Sequence, residues 1–436
     1  MRDFAVSQSP AVQAQLDRLA ALSLPHGRFG LATIHELLSR LGDPHLAIPP
    51  AFHVAGTNGK GSTCAYLRAM LEAQGYRVHA IASPHLVRYN ERIRIAGELV
   101  SDDELASLLA EVLDAARGLD VSFFETTIAA SFLAFARYPA DVCVIEVGLG
   151  GRFDATNVLP RPLACGIATL GIDHERFLLA PEHNVPAAPL ARIAFEKAGI
   201  RRAGVPLVTQ TYPAEVNGTL EMLAFADSVP LAMRGATWDV DVTANGFTWR
   251  NATSAIALPL PTILGAHQVD NAALAVAMLR AQDVLPISAE AMAQGIPAAR
   301  WPARMQRLGQ GPLTALAPGA EVWLDGGHNP DAGQALRRLL DQRDMRPHLI
   351  LGMIAGKTPA ALLDPLHAVV RSVTIVPVPG HECLPPEAFA GWPVPTTIAP
   401  DVMSALSALD APETVLIAGS LYLAGAVLQA NGEVPD

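Results

Sequence analysis

Residues 52–85, FHVAGTNGKGSTCAYLRAMLEAQGYRVHAIASPH, decide how the rest of the chain is read. The apolar run from Phe52 to Ala55 gives way to a glycine-rich turn. Leu67, Met70 and Leu71 then recur at helical spacing, Gly75 can end that helix, and VHAIA is a second apolar run. This is the strand, turn, helix and strand of a βαβ unit, within the usual ~30 residues. A common phosphate loop has a glycine, four residues, then Gly-Lys-Ser/Thr. Here Val54 stands at the first glycine position, and Gly61 separates Lys60 from Ser62. The physical device survives the mismatch. Glycines on both sides of a lysine let backbone N–H groups approach phosphate oxygens, Lys60 supplies a point charge, and the helix N-terminus adds its dipole. Gly56, Thr57, Asn58, Gly59, Lys60, Gly61 and Ser62 are therefore the candidate phosphate cradle.

Outward from this unit the pattern repeats. DVCVIEVG, LACGIATLG and VPLVTQ are compact apolar runs, separated by helical patterns such as SDDELASLLAEVLDAAR and ETTIAASFLAFAR. Such alternation predicts an α/β fold with a doubly wound, mostly parallel sheet. Upstream, VQAQLDRLAALS and LATIHELLSRLG read as helices around a turn at PHGRFG. The stretch from about Ala232 to Leu260 alternates around an Asn-Gly turn and predicts a small antiparallel excursion. After a helix at HQVDNAALAVAMLRAQ, the prolines and small residues of GIPAARWPARMQ predict a linker. EVWLDGG, PHLILGM, SVTIVPV and TVLIAGS then predict a second, smaller Rossmann-like α/β domain, dividing the chain into residues 1–297 and 298–436.

With 436 residues the chain exceeds the size at which one core stops growing. A formal charge of -11 argues against nucleic acid or an anionic membrane as the main partner. The amino terminus lacks the apolar segment of a signal peptide, no apolar run approaches the ~20 residues of a membrane span, and the four cysteines form no C-x-x-C pair. These features point to a cytoplasmic protein. Of 31 basic residues only three are lysines, Lys60, Lys197 and Lys357. Base composition accounts for the scarcity but not for the positions, and a lysine amine can be deprotonated where a guanidinium cannot.

In open α/β sheets ligands bind beyond the carboxyl ends of the strands. Ser83, Glu146 and His174 follow three such runs. Glu146 ends a run that reads as buried on both faces, where an unpaired carboxylate is costly unless a cation or an arginine such as Arg88 or Arg152 meets it. Hydroxyl, carboxylate and imidazole ligands suit a hard divalent ion near phosphates, with water completing its shell.

GTNGKGS, SPHLVRYNERI, FFETT, EVGLGGRFDATN, GIDH, EKAGI, GAHQVDN, LDGGHNP and GSLYLAG occur in this order between about Phe29 and Gly425. Together they resemble the folylpolyglutamate synthase and dihydrofolate synthase branch of the Mur ligase superfamily. The resemblance implies a P-loop-type ATP-binding domain and an ATP- and Mg2+-dependent ligase. Such an enzyme joins L-glutamate to dihydropteroate or a folate through an acyl phosphate, as a monomer. Lys60 and Ser62 would hold phosphates, and Ser83, Glu146 and His174 would hold magnesium. Lys197, in EKAGI, matches a lysine that the family carbamylates to make an anionic metal ligand. Lys60, Lys197 and His174 would thus be the catalytic group. Asn271, Arg304, Asp325 and His328 would contact ATP, and Gly30 and Phe124 match the pterin-binding region.

Three features depart from the family pattern. The interval from His174 to Lys197, with its proline-rich PEHNVPAAP, is long; GGHNP replaces Gly-Ala-His-Asn-Pro; and Lys357-Thr358 stands where Lys-Asp is usual. Sister ligases acting on UDP-muramyl peptides carry an extra amino-terminal domain, and the 55 residues before Gly56 are too few for one. A non-catalytic nucleotide-binding switch would need the cradle but neither Lys197 nor a second ATP-contacting domain.

Overall fold

Short apolar runs become the strands of two largely parallel sheets in a computed structural model that describes residues 6–22, 30–410 and 414–436. The turn at PHGRFG lies outside the described residues except for Gly30. One compact unit comprises Met1–Pro84, Tyr89–Thr262 and Gln268–Ala299; the other comprises His85–Arg88, Ile263–His267 and Arg300–Asp436.

In the first unit the sheet contains β1 (Ala51–Ala55), β2 (Val78–Ile81), β3 (Ile93–Ile95), β4 (Glu98–Leu99), β5 (Val142–Glu146), β6 (Ala164–Ile167), β7 (Leu207–Thr209) and β8 (Leu231–Met233). Their order is β4-β3-β2-β5-β1-β6-β7-β8. From β2 to β8 every pairing is parallel, while β3 and β4 form an antiparallel edge. Every residue of β1, β2, β5 and β6 is buried, as in strands covered on both faces. The register sets Val54 of β1 opposite Glu146 of β5, so Glu146 ends its strand beside the start of the cradle.

Helices α1 (Pro10–Ala20), α2 (Ala32–Arg40), α3 (Lys60–Ala73), α4 (Asp102–Ala115) and α5 (Phe123–Arg137) occupy the first part of this unit. Leu16, Leu37, Leu108 and Phe132 from α1, α2, α4 and α5 share one buried cluster. The FFETT motif has a local cause, because Ser122 and Glu125 form a reciprocal capping box that starts α5. Further on come α6 (Glu175–Leu178), α7 (Pro189–Lys197), α8 (Ala214–Ala226), α9 (Ala266–Arg280) and α10 (Ala289–Ala298).

The antiparallel excursion is a three-stranded sheet of β9 (Trp238–Thr243), β10 (Gly246–Asn251) and β11 (Ala255–Leu258). Its turn falls one residue earlier than expected. Thr243 pairs with Gly246, so Ala244 and Asn245 make the bend and the glycine begins the next strand. The expected linker also begins later. Gly295 to Ala298 belong to α10, because a Cβ at Gly295 would lie 2.5 Å from the Cα of Met70, and its absence lets α10 press against α3. Pro297 removes one donor near the end of the helix, and the chain leaves it at Ala299.

The second unit contains β12 (Gln306–Arg307), β13 (Glu321–Leu324), β14 (His348–Leu351), β15 (Ser372–Ile375), β16 (Thr396–Ile398) and β17 (Thr414–Ala418), in the order β12-β13-β17-β14-β15-β16. All pairings are parallel except that of β12 with β13. Among the described residues no helix is long and apolar enough to cross a membrane. All four cysteines are free.

Candidate active site

The glycine-lysine turn is tied to the segment after β6. Thr57 and Asn58 both donate their N–H groups to the Thr169 carbonyl, at 2.8 and 3.2 Å. The Thr57 hydroxyl donates to the Gly171 carbonyl at 3.0 Å and accepts the Gly171 N–H at 3.1 Å. With those donors occupied, the groups placed for an anion are in the first turn of α3, which no side chain caps. Gly59 precedes that turn with φ at 84°, and a Cβ there would lie 2.3 Å from the Asn271 Oδ1. Asn271 is thus packed on the cradle. It is buried and donates to the Gln268 Oε1 at 3.2 Å, which also accepts the Tyr66 hydroxyl at 3.4 Å.

Two of the three lysines converge on one carbonyl. Lys60 Nζ donates to the Gly56 oxygen at 3.1 Å and reaches the Thr57 oxygen at 3.4 Å; Lys197 Nζ donates to the same Gly56 oxygen at 2.9 Å. Lys197 is 4% exposed. Burial, reinforced by the Lys60 charge, pushes its pKa down to about 7 against the opposing pull of Asp173, Asp154 and Glu196. Near neutral pH this amine is therefore partly uncharged.

Glycines explain how Lys197, at the end of α7, reaches that place. A Cβ at Gly151 would lie 2.7 Å from the Lys197 carbonyl oxygen, and one at Gly199 would lie 2.4 Å from the Cα of Arg152. EVGLGGR and EKAG thus meet backbone to backbone, and the Arg152 N–H donates to the Glu196 carbonyl at 2.8 Å. Asp154, which sequence reasoning did not single out, organises the same turn. Its carboxylate accepts the N–H groups of Leu149 at 2.7 Å and Thr156 at 3.0 Å, together with the Thr156 hydroxyl. Burial raises its pKa despite those bonds. The sequence signal was a lone acid within the glycine-rich turn GLGGRFDATN.

Glu146 is 3% exposed, and its Oε2 accepts the Ser83 N–H at 3.1 Å. Arg152, one of its alternative partners in the sequence reading, instead forks onto Glu182 and Glu196. His174 heads α6 in a left-handed conformation, φ 53°, with its N–H on the Asp173 carboxylate at 2.8 Å. Among the described residues no three His, Cys, Asp or Glu side chains converge as a metal cage. That donor set still fits magnesium, which takes one or two carboxylates and completes its octahedron with water and phosphate oxygens. A Glu146 carboxylate buried beside the cradle meets that requirement.

The remaining expected residues fall in separate places. The ring of Phe124 covers Gly148, where a Cβ would lie 2.3 Å from its Cζ. Gly30 is exposed, and a Cβ there would meet nothing within 4 Å, so it stands outside the packed cluster. In the second unit Arg304, Asp325 and His328 gather beyond the carboxyl end of β13. Asp325 accepts the N–H groups of Met305 at 2.9 Å and Gly327 at 2.7 Å, and His328 Nδ1 lies 3.1 Å from the Gly326 carbonyl. A Cβ at Gly326 would lie 3.0 Å from Arg304 Nη1.

No protein-family model matches the chain. The folylpolyglutamate synthase of Lacticaseibacillus casei is 33% identical over 423 residues, covering 91% of this chain and 93% of that protein. The dihydrofolate synthase/folylpolyglutamate synthase of Escherichia coli K12 is 31% identical over 407 residues, covering 92% and 90%. Escherichia coli FolC in complex with DHPP and ADP superposes with a TM-score of 0.84 at 30% identity, over 97% of each chain. A bifunctional folylpolyglutamate synthase/dihydrofolate synthase with Mn, AMPPNP and L-glutamate bound gives 0.83 at 30% identity, over 97% of this chain and 98% of its own. A common fold and this identity over nine-tenths of the length lead to one conclusion: the chain belongs to the dihydrofolate synthase/folylpolyglutamate synthase family.

Proposed function

We infer that this chain is an ATP-dependent ligase that joins L-glutamate to the carboxylate of dihydropteroate or a reduced folate through an acyl phosphate, with a divalent metal such as magnesium as cofactor. The observation that carries this reading is the convergence of Lys60 and Lys197 on the Gly56 carbonyl, beside the uncapped start of α3 and the buried Glu146. That arrangement handles phosphate and needs no enzyme nucleophile. Its work is positioning and charge neutralisation.

The first turn of α3, with Lys60 and Ser62, takes the phosphates, and Asn271 contributes from its place against Gly59. Arg304, Asp325 and His328 are the nucleotide contacts of the second unit. Ser83, Glu146 and His174 would hold the metal, with Lys197 as an anionic ligand once its amine had captured CO2 and released a proton; bound there, a divalent ion would supply charge neutralisation for the polyphosphate. A pKa near 7 makes the uncharged Lys197 amine available for that capture. Phe124 and the segment around Gly30 receive the pterin. The protein acts on both dihydropteroate and reduced folates, as a cytoplasmic monomer without nucleic acid or membrane partners. ATP turnover that rises only when a pteroate or folate and glutamate are present together supports this reading. Turnover independent of both substrates contradicts it.

A further inference from the structure

The long segment between α6 and α7 carries Glu182 into an ion cluster next to Lys197. Arg152 forks onto the Glu182 carboxylate, Nη1 at 3.2 Å and Nη2 at 2.5 Å, and onto Glu196, Nε at 3.1 Å and Nη2 at 2.9 Å. Arg192 Nη2 lies 2.8 Å from Glu182 and 2.9 Å from Glu196. The four charges alternate and cancel. The Arg192 and Glu196 side chains are only 6% and 7% exposed, and the Arg152 guanidinium also lies over the rings of Phe153 at 4.2 Å and Phe195 at 5.0 Å. Removing the Glu182 charge leaves two guanidinium groups sharing one carboxylate in a place where Arg192 cannot turn to water.

The backbone passes that imbalance to the site. The Arg152 N–H holds the Glu196 carbonyl, Gly199 packs on the Arg152 Cα, and the next residue after Glu196 is Lys197. We propose that Glu182 is a positioning residue for the ligase reaction: it binds Arg152 and Arg192 against Glu196, fixes the last turn of α7, and so keeps the Lys197 amine on the Gly56 carbonyl. The proposal rests on the reading of Lys197 as part of the reaction centre.

The test uses Glu182→Gln and Glu182→Asp in the full chain, with Lys197→Ala as a reference. Glu182→Gln is expected to lower kcat about tenfold while the KM for ATP stays within about twofold, the signature of misplacement rather than lost binding. With three lysines in the chain, amine labelling followed by mass spectrometry resolves each one. The labelling rate of Lys197 should rise about fivefold or more while that of Lys357 is unchanged. Glu182→Asp, which keeps the charge, should recover most of kcat. Wild-type kcat in Glu182→Gln, or a lower kcat with Lys197 still protected, overturns the proposal. If Lys197→Ala keeps wild-type kcat, the reading of Lys197 fails and takes the proposal with it. A reference variant without activity beside a fully active Glu182→Gln refutes the positioning role alone.

Discussion

Lys60 and Lys197 share an acceptor, and their chemistry separates them. Lys60 opens α3, half-buried, with its amine on the cradle's own backbone rather than in an apolar cluster, so Lys60→Ala should fold normally while losing at least about 100-fold in kcat. Near-normal turnover would show that the turn is no phosphate cradle. Glu146→Gln keeps the size of a buried side chain and removes its charge, so turnover should fall and magnesium dependence should weaken together. An unchanged magnesium titration curve contradicts that assignment. Arginine cannot shed its proton, so Lys197→Arg should bind ATP yet lose most amide-forming activity, and Lys197→Ala should regain part of it when a short-chain carboxylate is added. An arginine variant at wild-type rate removes the carbamylation reading. His53 gives a prediction about stability. Its Nε2 lies 2.8 Å from the Thr156 hydroxyl, which donates to Asp154, so Nε2 carries the proton; Nδ1 is buried without a partner. Burial, aided by Arg202, pushes its pKa down to about 3 from 6.5. Between those values the unfolded chain takes up a proton that the folded chain refuses, so stability is full above pH 6.5 and falls toward pH 3, by roughly 1.4 kcal/mol per pH unit. Denaturation of His53→Gln across that window should show a shallower slope, and parallel curves would refute the assignment.

At the scale of elements, the fit of α10 on α3 depends on a missing side chain. Gly295→Ala places a Cβ 2.5 Å from the Met70 Cα, a backbone atom that cannot swing aside. The variant should lose about 1–3 kcal/mol in chemical denaturation, and no loss would mean that α10 can shift without penalty. Gly295 also shows where sequence reading stops. A glycine followed by a proline in GIPAARW reads as a linker, because the contact that keeps those residues helical lies more than 200 positions away in α3. The strands were legible for the opposite reason: β1, β5, β13 and β14 are local apolar runs, and their burial on both faces is written in their own residues. β16 was not, since Thr396, Thr397 and Ile398 are all exposed and only pairing with β15 makes them a strand. In the site, GTNGKGS announced itself by composition. The cluster of Arg152, Glu182, Arg192 and Glu196 did not, because charged residues in a loop and on a helix read as solvated surface until the fold brings them together.

For the molecule as a whole, an acidic chain must handle anionic substrates through local charge, and it spends two of its three lysines on one carbonyl in the first unit. Arg304, Asp325 and His328 form a second polar group in the other unit, at the carboxyl end of its own parallel sheet. A candidate phosphate cradle in one α/β unit and a polar group at the strand ends of the other are what a ligase that uses ATP to make an amide requires. The most direct test of that claim is ATP-dependent incorporation of labelled L-glutamate by the purified chain, over a panel of dihydropteroate, tetrahydrofolate and a UDP-muramyl precursor. Label is expected in the products of dihydropteroate and tetrahydrofolate, dependent on ATP and magnesium and absent with the muramyl precursor. Incorporation into the muramyl precursor alone, or into none of the three while ATP is still hydrolysed, would contradict it.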